Sequence, residues 1–357
     1  MKILYVPCDA SGSGKLRCEL PGRELARLGH EVVFSQPRET TSWRNASGIM
    51  EHRQVSTPDL DVLEQRPDVM VLQKSIDPET PTIVESAQKL GAAVVVESDD
   101  LVWGVPDWHD AKRANDVGRA AHREGTQRAD AVTVSTDQLA EEYRKVHPRV
   151  AVVRNGLDQE QWASVTPQYE VERDRMRVGW TGHLTWRRGD AATLERWLTP
   201  FLARCHRADF VAAGDRRVHD AIGVPFGQRI SVGWQQWQDV PRLLCFDVGL
   251  VPLEDNLFNR CKSWLKGLEY MAAGIVPIAP AWHDEYRLLI EHGVDGVLVA
   301  NHEQALASLW HLWASPEERV AMARRAREKA LGLMVDGRAA EWERALSVRR
   351  PSRLLVA

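Results

Sequence analysis

A cluster of cationic side chains stands at the predicted start of a helix in the C-terminal half of the chain. Arg260, Lys262 and Lys266 lie close together in the sequence, and Glu269 follows less than one helical turn after Lys266. Cations at the N-terminal end of a helix are unfavourable unless an anion binds there. Free backbone N–H groups with Arg and Lys side chains are what a diphosphate needs, and a carboxylate can accept ribose hydroxyls. A diphosphate site is one interpretation, and a solvated charged face is the other.

The elements around this cluster form a strand, loop, helix and strand in succession. The apolar run 248–253 predicts a buried parallel strand, and 254–262 predicts a polar loop. Ser263 stands at the expected N-cap of the helix. Gly274 is placed to end the helix, and 275–279 predicts the next strand. This order places the cations at the carboxyl end of a strand.

The segment PLEDNLFNRCKSWLKGLEYMAAGIVPIAP resembles the donor-site segment of GT-B glycosyltransferases of the retaining, family-4-like group. Several members carry the pattern N-R-x-K-S-x-x-K-x-L-E-Y-x-A-x-G. Classical members have two glutamates with seven residues between them, and here Glu269 matches the second while Cys261 replaces the first. The resemblance implies that Lys262 takes part in catalysis and that the donor is held by Arg260, Lys262, Ser263, Lys266 and Glu269. The matching residues are Asn259, Arg260, Lys262, Ser263, Lys266, Leu268, Glu269, Tyr270, Ala272 and Gly274.

A second loop of the same half resembles the family. It follows the predicted strand 177–180 and reads T-G-H-L-T-W-R-R-G. In the family a Gly begins this loop, an Arg often follows, and a Lys-Gly pair closes it, where this chain has Arg188-Gly189. The resemblance implies donor-diphosphate contacts from Gly182, His183, Arg187 and Arg188, with Arg187 compensating for His183. An exposed basic turn is the alternative. A later strand, 210–213, ends at Gly214, where we expect the nucleotide base.

A glycine-containing loop follows the first predicted strand, 2–6. Such loops bring a backbone close to phosphates in open α/β sheets. A Walker A loop would need Gly and Ser or Thr where Asp9 and Leu16 stand, and the dinucleotide fingerprint would need Gly in place of Arg17. The segment 17–32 instead resembles the family's opening, which implies that Gly12 and Gly14 lie near the donor diphosphate.

Paired carboxylates follow the predicted strand 93–97. Asp99 and Asp100 would lie at its carboxyl end, where ligands bind in such sheets. They are candidates for a catalytic base, an acceptor clamp or a metal site, and a loop start in which one Asp caps the backbone is the alternative. The segment E-S-D-D-L-V-W-G-V-P resembles a cleft-facing part of the family. We therefore assign acceptor binding to Lys15, Arg17, Asp99, Asp100 and His109.

Composition excludes several other classes of protein. The 357 residues carry a formal net charge of −4, so nothing in the whole-chain charge attracts nucleic acid. The five cysteines lack C-x-x-C spacing, which favours reduced thiols in a cytoplasmic protein. No stretch approaches the ~20 apolar residues of a membrane span, although peripheral membrane contact stays open. No cluster has metal-ligand spacing, and we expect no cofactor beyond the nucleotide sugar.

The alternation of strands and helices predicts an α/β protein. The resemblance implies the GT-B fold, with two Rossmann-like domains facing each other across a cleft. We expect an N-terminal acceptor-side domain at 1–158, a linker at 159–175 and a nucleotide-sugar domain at 176–315. The segment 316–357 is expected to be a helix that returns to the N-terminal domain. Residues 40–67 predict an irregular loop.

The expected reaction is transfer of a sugar from a UDP- or GDP-sugar to an acceptor hydroxyl. Retention of configuration follows from the resemblance, and metal independence fits the basic residues at the donor site. A glycan or a lipid-linked sugar is the expected acceptor. Hydroxymethylated bases in DNA are an alternative, because Lys15, Arg17, Arg44, His52 and Arg53 would form a basic rim. A non-catalytic sugar- or phosphate-binding protein, a GT-B epimerase and a phosphorylase are the other rivals.

Overall fold

The computed structural model describes residues 1–9, 12–35, 38–44, 50–55, 63–107, 111–184, 188–233 and 240–348. The chain divides into two compact units. The first contains 1–105, 112–155 and 335–357, and the second contains 106–111 and 156–334. Each unit is built on its own six-stranded parallel sheet, so the predicted α/β class is confirmed.

The first sheet has the strand order β2-β1-β5-β6-β7-β8. Every residue of β5 and β6 is buried, as their near-continuous apolar sequences require. A separate antiparallel pair, β3 and β4, lies in the segment predicted to be irregular. The strands are β1 (Lys2–Val6), β2 (Glu31–Phe34), β3 (Arg38–Arg44), β4 (Met50–Val55), β5 (Val69–Gln73), β6 (Ala93–Ser98), β7 (Ala131–Val134) and β8 (Val150–Val152).

Helices of the first unit begin with a short turn, α1 (Gly12–Gly14), which continues through the π-helical segment Lys15–Glu19 into α2 (Leu20–Arg27). The predicted loop around Gly12 and Gly14 is therefore helical where it is described. Gly14 is required by close packing, because a Cβ there would lie 2.0 Å from the carbonyl oxygen of Asp9. The other helices are α3 (Thr80–Lys89), α4 (Ala111–Arg128) and α5 (Asp137–Arg144).

The second sheet has the strand order β11-β10-β9-β12-β13-β14. Its two faces are covered by separate apolar clusters, one containing Trp197 and Leu309 and the other Leu268 and Tyr286. The strands are β9 (Met176–Thr181), β10 (Ala208–Gly214), β11 (Arg229–Gly233), β12 (Val248–Leu250), β13 (Val276–Pro280) and β14 (Val297–Val299). The helices are α6 (Gln159–Ala163), α7 (Arg188–Leu202), α8 (Val218–Ala221), α9 (Val240–Leu243), α10 (Leu257–Arg260), α11 (Leu265–Ala272), α12 (Asp284–Leu289), α13 (His302–Ala314) and α14 (Pro316–Leu331).

The expected linker is part of the second unit. Trp162, on α6, is fully buried in the same apolar cluster as α11. The guanidinium of Arg327 donates to the carbonyls of Ala163 and Val165, at 3.4 and 2.8 Å. Residues 159–175 are thus packed against the second sheet's helices, which corrects their assignment as a linker.

The return to the first unit begins later than expected. Helix α14 packs on α11 and buries Ala326 and Ala330 in the second unit. The chain joins the first unit at Val335, and α15 (Ala339–Leu346) buries Trp342 among its core side chains. The predicted long helix from 316 is therefore two helices with different partners.

Arg17 joins distant segments of the first unit. Its side chain is 0% exposed and pairs with Glu97 at 2.7 Å, while donating to the Val153 carbonyl at 2.6 Å. The guanidinium also lies 4.7 Å from the ring centroid of Trp342. Arg17 has no surface to offer an acceptor, so its assignment to acceptor binding is corrected to a structural role.

No helix in the described ranges is both long and apolar enough to cross a membrane.

Candidate functional site

The second sheet has a topological switch point between β9 and β12. Successive strands run outward from this point in opposite directions, to β10 and β11 on one side and to β13 and β14 on the other. Ligands of open α/β sheets bind beyond the carboxyl ends of the strands at such a point. The loop that begins with Gly182 follows β9, and α11 follows β12. The two donor segments predicted from sequence therefore meet at this edge.

Helix α11 is hydrogen-bonded directly to the end of β9. The hydroxyl of Tyr270 accepts a hydrogen bond from the Thr181 N–H at 3.0 Å and lies 3.1 Å from the Thr181 hydroxyl. The Lys266 ammonium donates to the Thr181 carbonyl and lies 5.2 Å from the Trp180 ring centroid. Because an ammonium has three donors, Lys266 can hold the backbone and still contact an anion.

The Gly182 loop is held in place by β10 and by the residue that follows it. The Gly182 N–H donates to the Ala213 carbonyl at 3.0 Å, and the Leu184 N–H donates to the Asp215 carboxylate at 3.0 Å. Hydrogen bonds from Arg217 hold the pKa of Asp215 well below its ordinary value. Asp215 therefore stays ionised and positions the loop, a role that was not assigned from sequence.

His183 is exposed on this loop, and its Nδ1 lies 3.8 Å from the Asp215 carboxylate. Gly182 cannot be replaced without displacement, since a Cβ would lie 2.5 Å from the Trp180 ring. Gly214 ends β10 with φ +107, a conformation that favours glycine. Arg187 and the side chain of Arg188 lie outside the described residues.

Glu269 is a carboxylate without a partner at this edge. In the described part of the chain, its side chain makes no hydrogen bond and no ion pair. Burial raises its pKa from 4.5 to about 7, and Lys266 opposes that rise. Part of the residue's surface remains exposed. A desolvated, unsatisfied acceptor is costly in the empty protein and suits a ligand that brings hydroxyl donors.

The start of α11 differs from the prediction. The helix begins at Leu265 with Trp264 at its N-cap and no side-chain cap, so the N-cap assignment of Ser263 is wrong. Ser263 is partly exposed just before the helix. The predicted helix end is confirmed, because Gly274 follows α11 with φ +71. The N-cap residue of α11 therefore supplies no side-chain oxygen to the N–H groups of the first turn.

The remaining cations of the motif have different surroundings. The Lys262 ammonium lies 4.1 Å from the Phe258 ring centroid and is partly exposed. Arg260 forms two hydrogen bonds to Asp255, at 2.7 and 2.8 Å, so much of its charge is already compensated. Cys261, where the family's first glutamate would stand, is fully buried. Lys262 and Lys266 are accordingly the stronger candidates for an anion.

A cluster of charged groups lies at the switch point of the first sheet, between β1 and β5. The Lys74 ammonium lies 2.6 Å from Asp99 and 3.2 Å from Asp100, and the Ser13 hydroxyl donates to Asp99 at 2.9 Å. Gln73 donates to the Ser13 hydroxyl at 3.0 Å. The predicted acidic pair is thus held by a lysine and a serine that sequence reasoning did not select.

Lys74 is strained as well as paired. Its φ of +38 is unusual for a residue with a side chain. Burial acts to lower the pKa of Lys74, but Asp99 and Asp100 raise it well above its ordinary value. The ammonium therefore stays charged beside two carboxylates. Such strain at a strand end is typical of functional sites.

Two other acceptor candidates are placed differently. Lys15 pairs with Glu19 at 2.9 Å on the same helical segment. His109 lies outside the described residues. Asp99 and Asp100 are each partly exposed, with side chains 17% and 30% accessible. They are the acceptor candidates that the structure brings together.

Comparison with solved structures identifies the fold. No family model and no curated protein matches the sequence. The structure of Anabaena HepE in complex with UDP and glucose superposes with a TM-score of 0.66 at 14% identity, covering 97% of this chain and 99% of that one. The chain has the GT-B fold. Sucrose-phosphate synthase from Thermosynechococcus elongatus gives a TM-score of 0.64 at 14% identity, with 96% and 97% covered.

A further GT-B structure, TarM from S. aureus in complex with fondaparinux, alpha-GlcNAc-glycerol and UDP, matches at a TM-score of 0.61 and 12% identity. It covers 84% of this chain and 60% of that one. In this GT-B chain each sheet carries one chemically distinct cluster at its carboxyl edge. The second sheet bears cations and a carboxylate, that of Glu269, whose side chain has no hydrogen bond or ion pair in the described ranges, and the first bears paired acids.

Proposed function

We propose that the chain is a glycosyltransferase that moves a sugar from a nucleotide-diphosphate donor to an acceptor hydroxyl. The observation that carries the proposal is the arrangement on α11. Lys266 reaches the carboxyl end of β9, and Glu269, one turn away, has no partner among the described residues. A diphosphate supplies an anion for the ammonium of Lys266, and a ribose supplies hydroxyl donors for the carboxylate of Glu269.

The donor is proposed to bind with its diphosphate at the first turn of α11. The N-cap residue Trp264 makes no side-chain hydrogen bond to the backbone N–H groups there, and Lys262 and Lys266 lie next to them in the sequence. The Gly182 loop forms the other wall, and the end of β10 at Gly214 receives the base. The UDP bound in the HepE structure supports a UDP-sugar, and a GDP-sugar is the other candidate.

Catalysis is proposed to depend on stabilising the departing diphosphate. The C1–oxygen bond of the donor breaks as the acceptor oxygen bonds to C1, and negative charge grows on the leaving group, which takes up the proton that the acceptor hydroxyl loses. Fixed cations and helix N–H groups stabilise that charge without reorganisation. Lys262 and Lys266 would serve this role without a metal. We propose retention of configuration from the resemblance of the motif at 259–274. Because Cys261 is buried, the sugar contact made by the family's first glutamate must come from other groups.

The acceptor is proposed to be a glycan or lipid-linked sugar hydroxyl bound at Asp99 and Asp100. Carboxylates are common hydrogen-bond acceptors for sugar hydroxyls, and the Lys74 ammonium pairs with both. The alpha-GlcNAc-glycerol bound in the TarM structure supports a glycan-type acceptor. A DNA acceptor would bind with a log–log salt slope near −0.9 for each phosphate contact, whereas a neutral glycan would show almost no slope.

Thermal shift with a panel of nucleotides and nucleotide sugars tests the proposal. A ligand that binds the folded state raises the melting temperature by mass action. We expect one nucleoside diphosphate and its sugar to raise it selectively, and Lys262→Ala to reduce both shifts. A panel without any selective shift would contradict the proposal.

A further inference from the structure

An arginine-lined cavity of about 90 Å³ lies at the opposite edge of the second sheet from the donor cluster. Its walls come from the segment before β9, from Asp247 before β12, from Gly274 at the end of α11, and from α14. Three guanidinium groups line it, those of Arg173, Arg175 and Arg319. The cavity is thus within one unit and separate from the carboxyl edge.

Two of these arginines pair with carboxylates. Both oxygens of Asp247 are occupied, one by Arg173 at 2.9 Å and the other by the Arg177 N–H at 2.7 Å. Asp209 pairs with Arg175 at 2.7 Å. In the described part of the chain, Arg319 has no carboxylate within ion-pair distance and donates instead to the Leu312 carbonyl at 2.6 Å.

Arg319 is therefore a partly buried cation with a cationic neighbour. Burial lowers its pKa, Asp247 opposes that effect, and Arg173 adds to it. Arg173 is itself deeply buried, with 8% of its side chain exposed, and its Nε has no hydrogen-bond partner. An anion in the cavity would compensate Arg319 and offset the repulsion between the two guanidiniums.

We propose that this cavity binds a phosphate group, either free or on a larger molecule such as a lipid headgroup. The guanidinium is a planar donor fork that matches phosphate oxygens, and a phosphate has enough acceptors for several arginines at once. The small volume suits a single phosphoryl group. Arg175, with 38% of its side chain exposed, lies at the mouth and remains open to solvent.

Helix α11 connects the site to the donor cluster. That helix carries Lys266 and Glu269 and ends at Gly274 in the cavity wall, and α14, which bears Arg319, packs along it. The proposal needs no glycosyltransferase activity, since it concerns binding alone.

Calorimetric titration with inorganic phosphate, at ionic strength held constant with sodium chloride, tests the site. We expect binding by the wild type, at least a tenfold loss in Arg319→Gln, and a smaller loss in Arg175→Gln. Arg325→Gln is the matched control, because Arg325 is exposed on the same helix and donates to the Val294 carbonyl. If Arg319→Gln does not fold, the phosphate titration of Arg175→Gln tests the site, and an affinity equal to that of the wild type would contradict the proposal.

Phosphate binding at the donor cluster must be separated from binding here. Lys262→Ala is expected to retain phosphate binding at the arginine cavity. Absence of phosphate binding in the wild type, or loss in Lys262→Ala with full retention in the arginine variants, would overturn the proposal.

Flotation with phosphatidic acid vesicles distinguishes a lipid headgroup from a soluble phosphate as the ligand. Capture that Arg319→Gln abolishes indicates a lipid headgroup, and phosphate binding without capture indicates a free or soluble phosphate.

Discussion

Replacement of Glu269 by Gln should stabilise the empty protein while weakening its binding of nucleotide. In the folded protein burial raises the pKa of this carboxyl from 4.5 to about 7. The folded state therefore holds its proton more tightly than the unfolded state between these two pH values. The free energy of unfolding falls as pH rises through that window, and the loss is complete above pH 7.

The size of the stability change follows from the pKa shift of Glu269. At 1.36 kcal/mol for each pKa unit, the shift corresponds to about 3 kcal/mol. Because Glu269 keeps some exposed surface, solvent screening reduces this to about 1–2 kcal/mol. Gln has no charge to desolvate. Glu269→Gln should therefore raise the free energy of unfolding by about 1–2 kcal/mol at pH 8 and leave it almost unchanged at pH 4.

Urea unfolding of the wild type and Glu269→Gln at pH 4 and pH 8 measures the effect. Glu328→Gln, which removes an exposed carboxylate from α14, is the matched control and should change neither value. Calorimetry should show that Glu269→Gln weakens UDP and UDP-glucose equally, by about 1 kcal/mol, the difference between a charged and a neutral acceptor. A variant less stable than wild type at pH 8, or a loss confined to the sugar-bearing ligand, would refute the reasoning.

Three further substitutions have distinct expected outcomes. Lys262→Ala should weaken nucleoside-diphosphate binding by about 1.5–3 kcal/mol in calorimetry. The control Lys329→Ala, on α14, should leave that affinity unchanged. An unchanged affinity in Lys262→Ala would show that Lys262 does not bind the diphosphate. Asp99→Asn should lower the rate of sugar transfer while leaving UDP affinity unaltered, and a parallel loss of UDP affinity would contradict an acceptor role. Arg17→Met should cost about 3–5 kcal/mol in urea unfolding because it leaves Glu97 buried and unpaired, and a double variant with Glu97→Met should recover most of it.

Local patterns were sufficient for the sheets and for the donor motif. Buried parallel strands are continuous apolar runs, so 69–73 and 297–299 were predicted with the observed bounds. The end of α11 at Gly274 was likewise predictable, because its φ of +71 requires the conformational freedom of glycine. These features depend on residues close in sequence.

Features that depend on distant partners could not be read from the sequence. Lys74 meets Asp99 only because β5 and β6 are neighbours, with Gln73 opposite Glu97 in the parallel register. Arg17 sits in a motif that looks exposed, and Trp342, far along the chain, covers it. The segment 159–175 is polar like a linker, but one buried side chain, Trp162, fixes it to the second unit.

The most direct test of the central claim is release of nucleoside diphosphate from the nucleotide sugar that the protein binds. The purified protein is incubated with that sugar in buffer containing a chelator and no phosphate, and free nucleoside diphosphate is measured over time. The account predicts slow release into water, faster release with a glycan acceptor, and loss of both in Lys262→Ala. Tight binding with no release in either condition, or release only when inorganic phosphate is added, would contradict it.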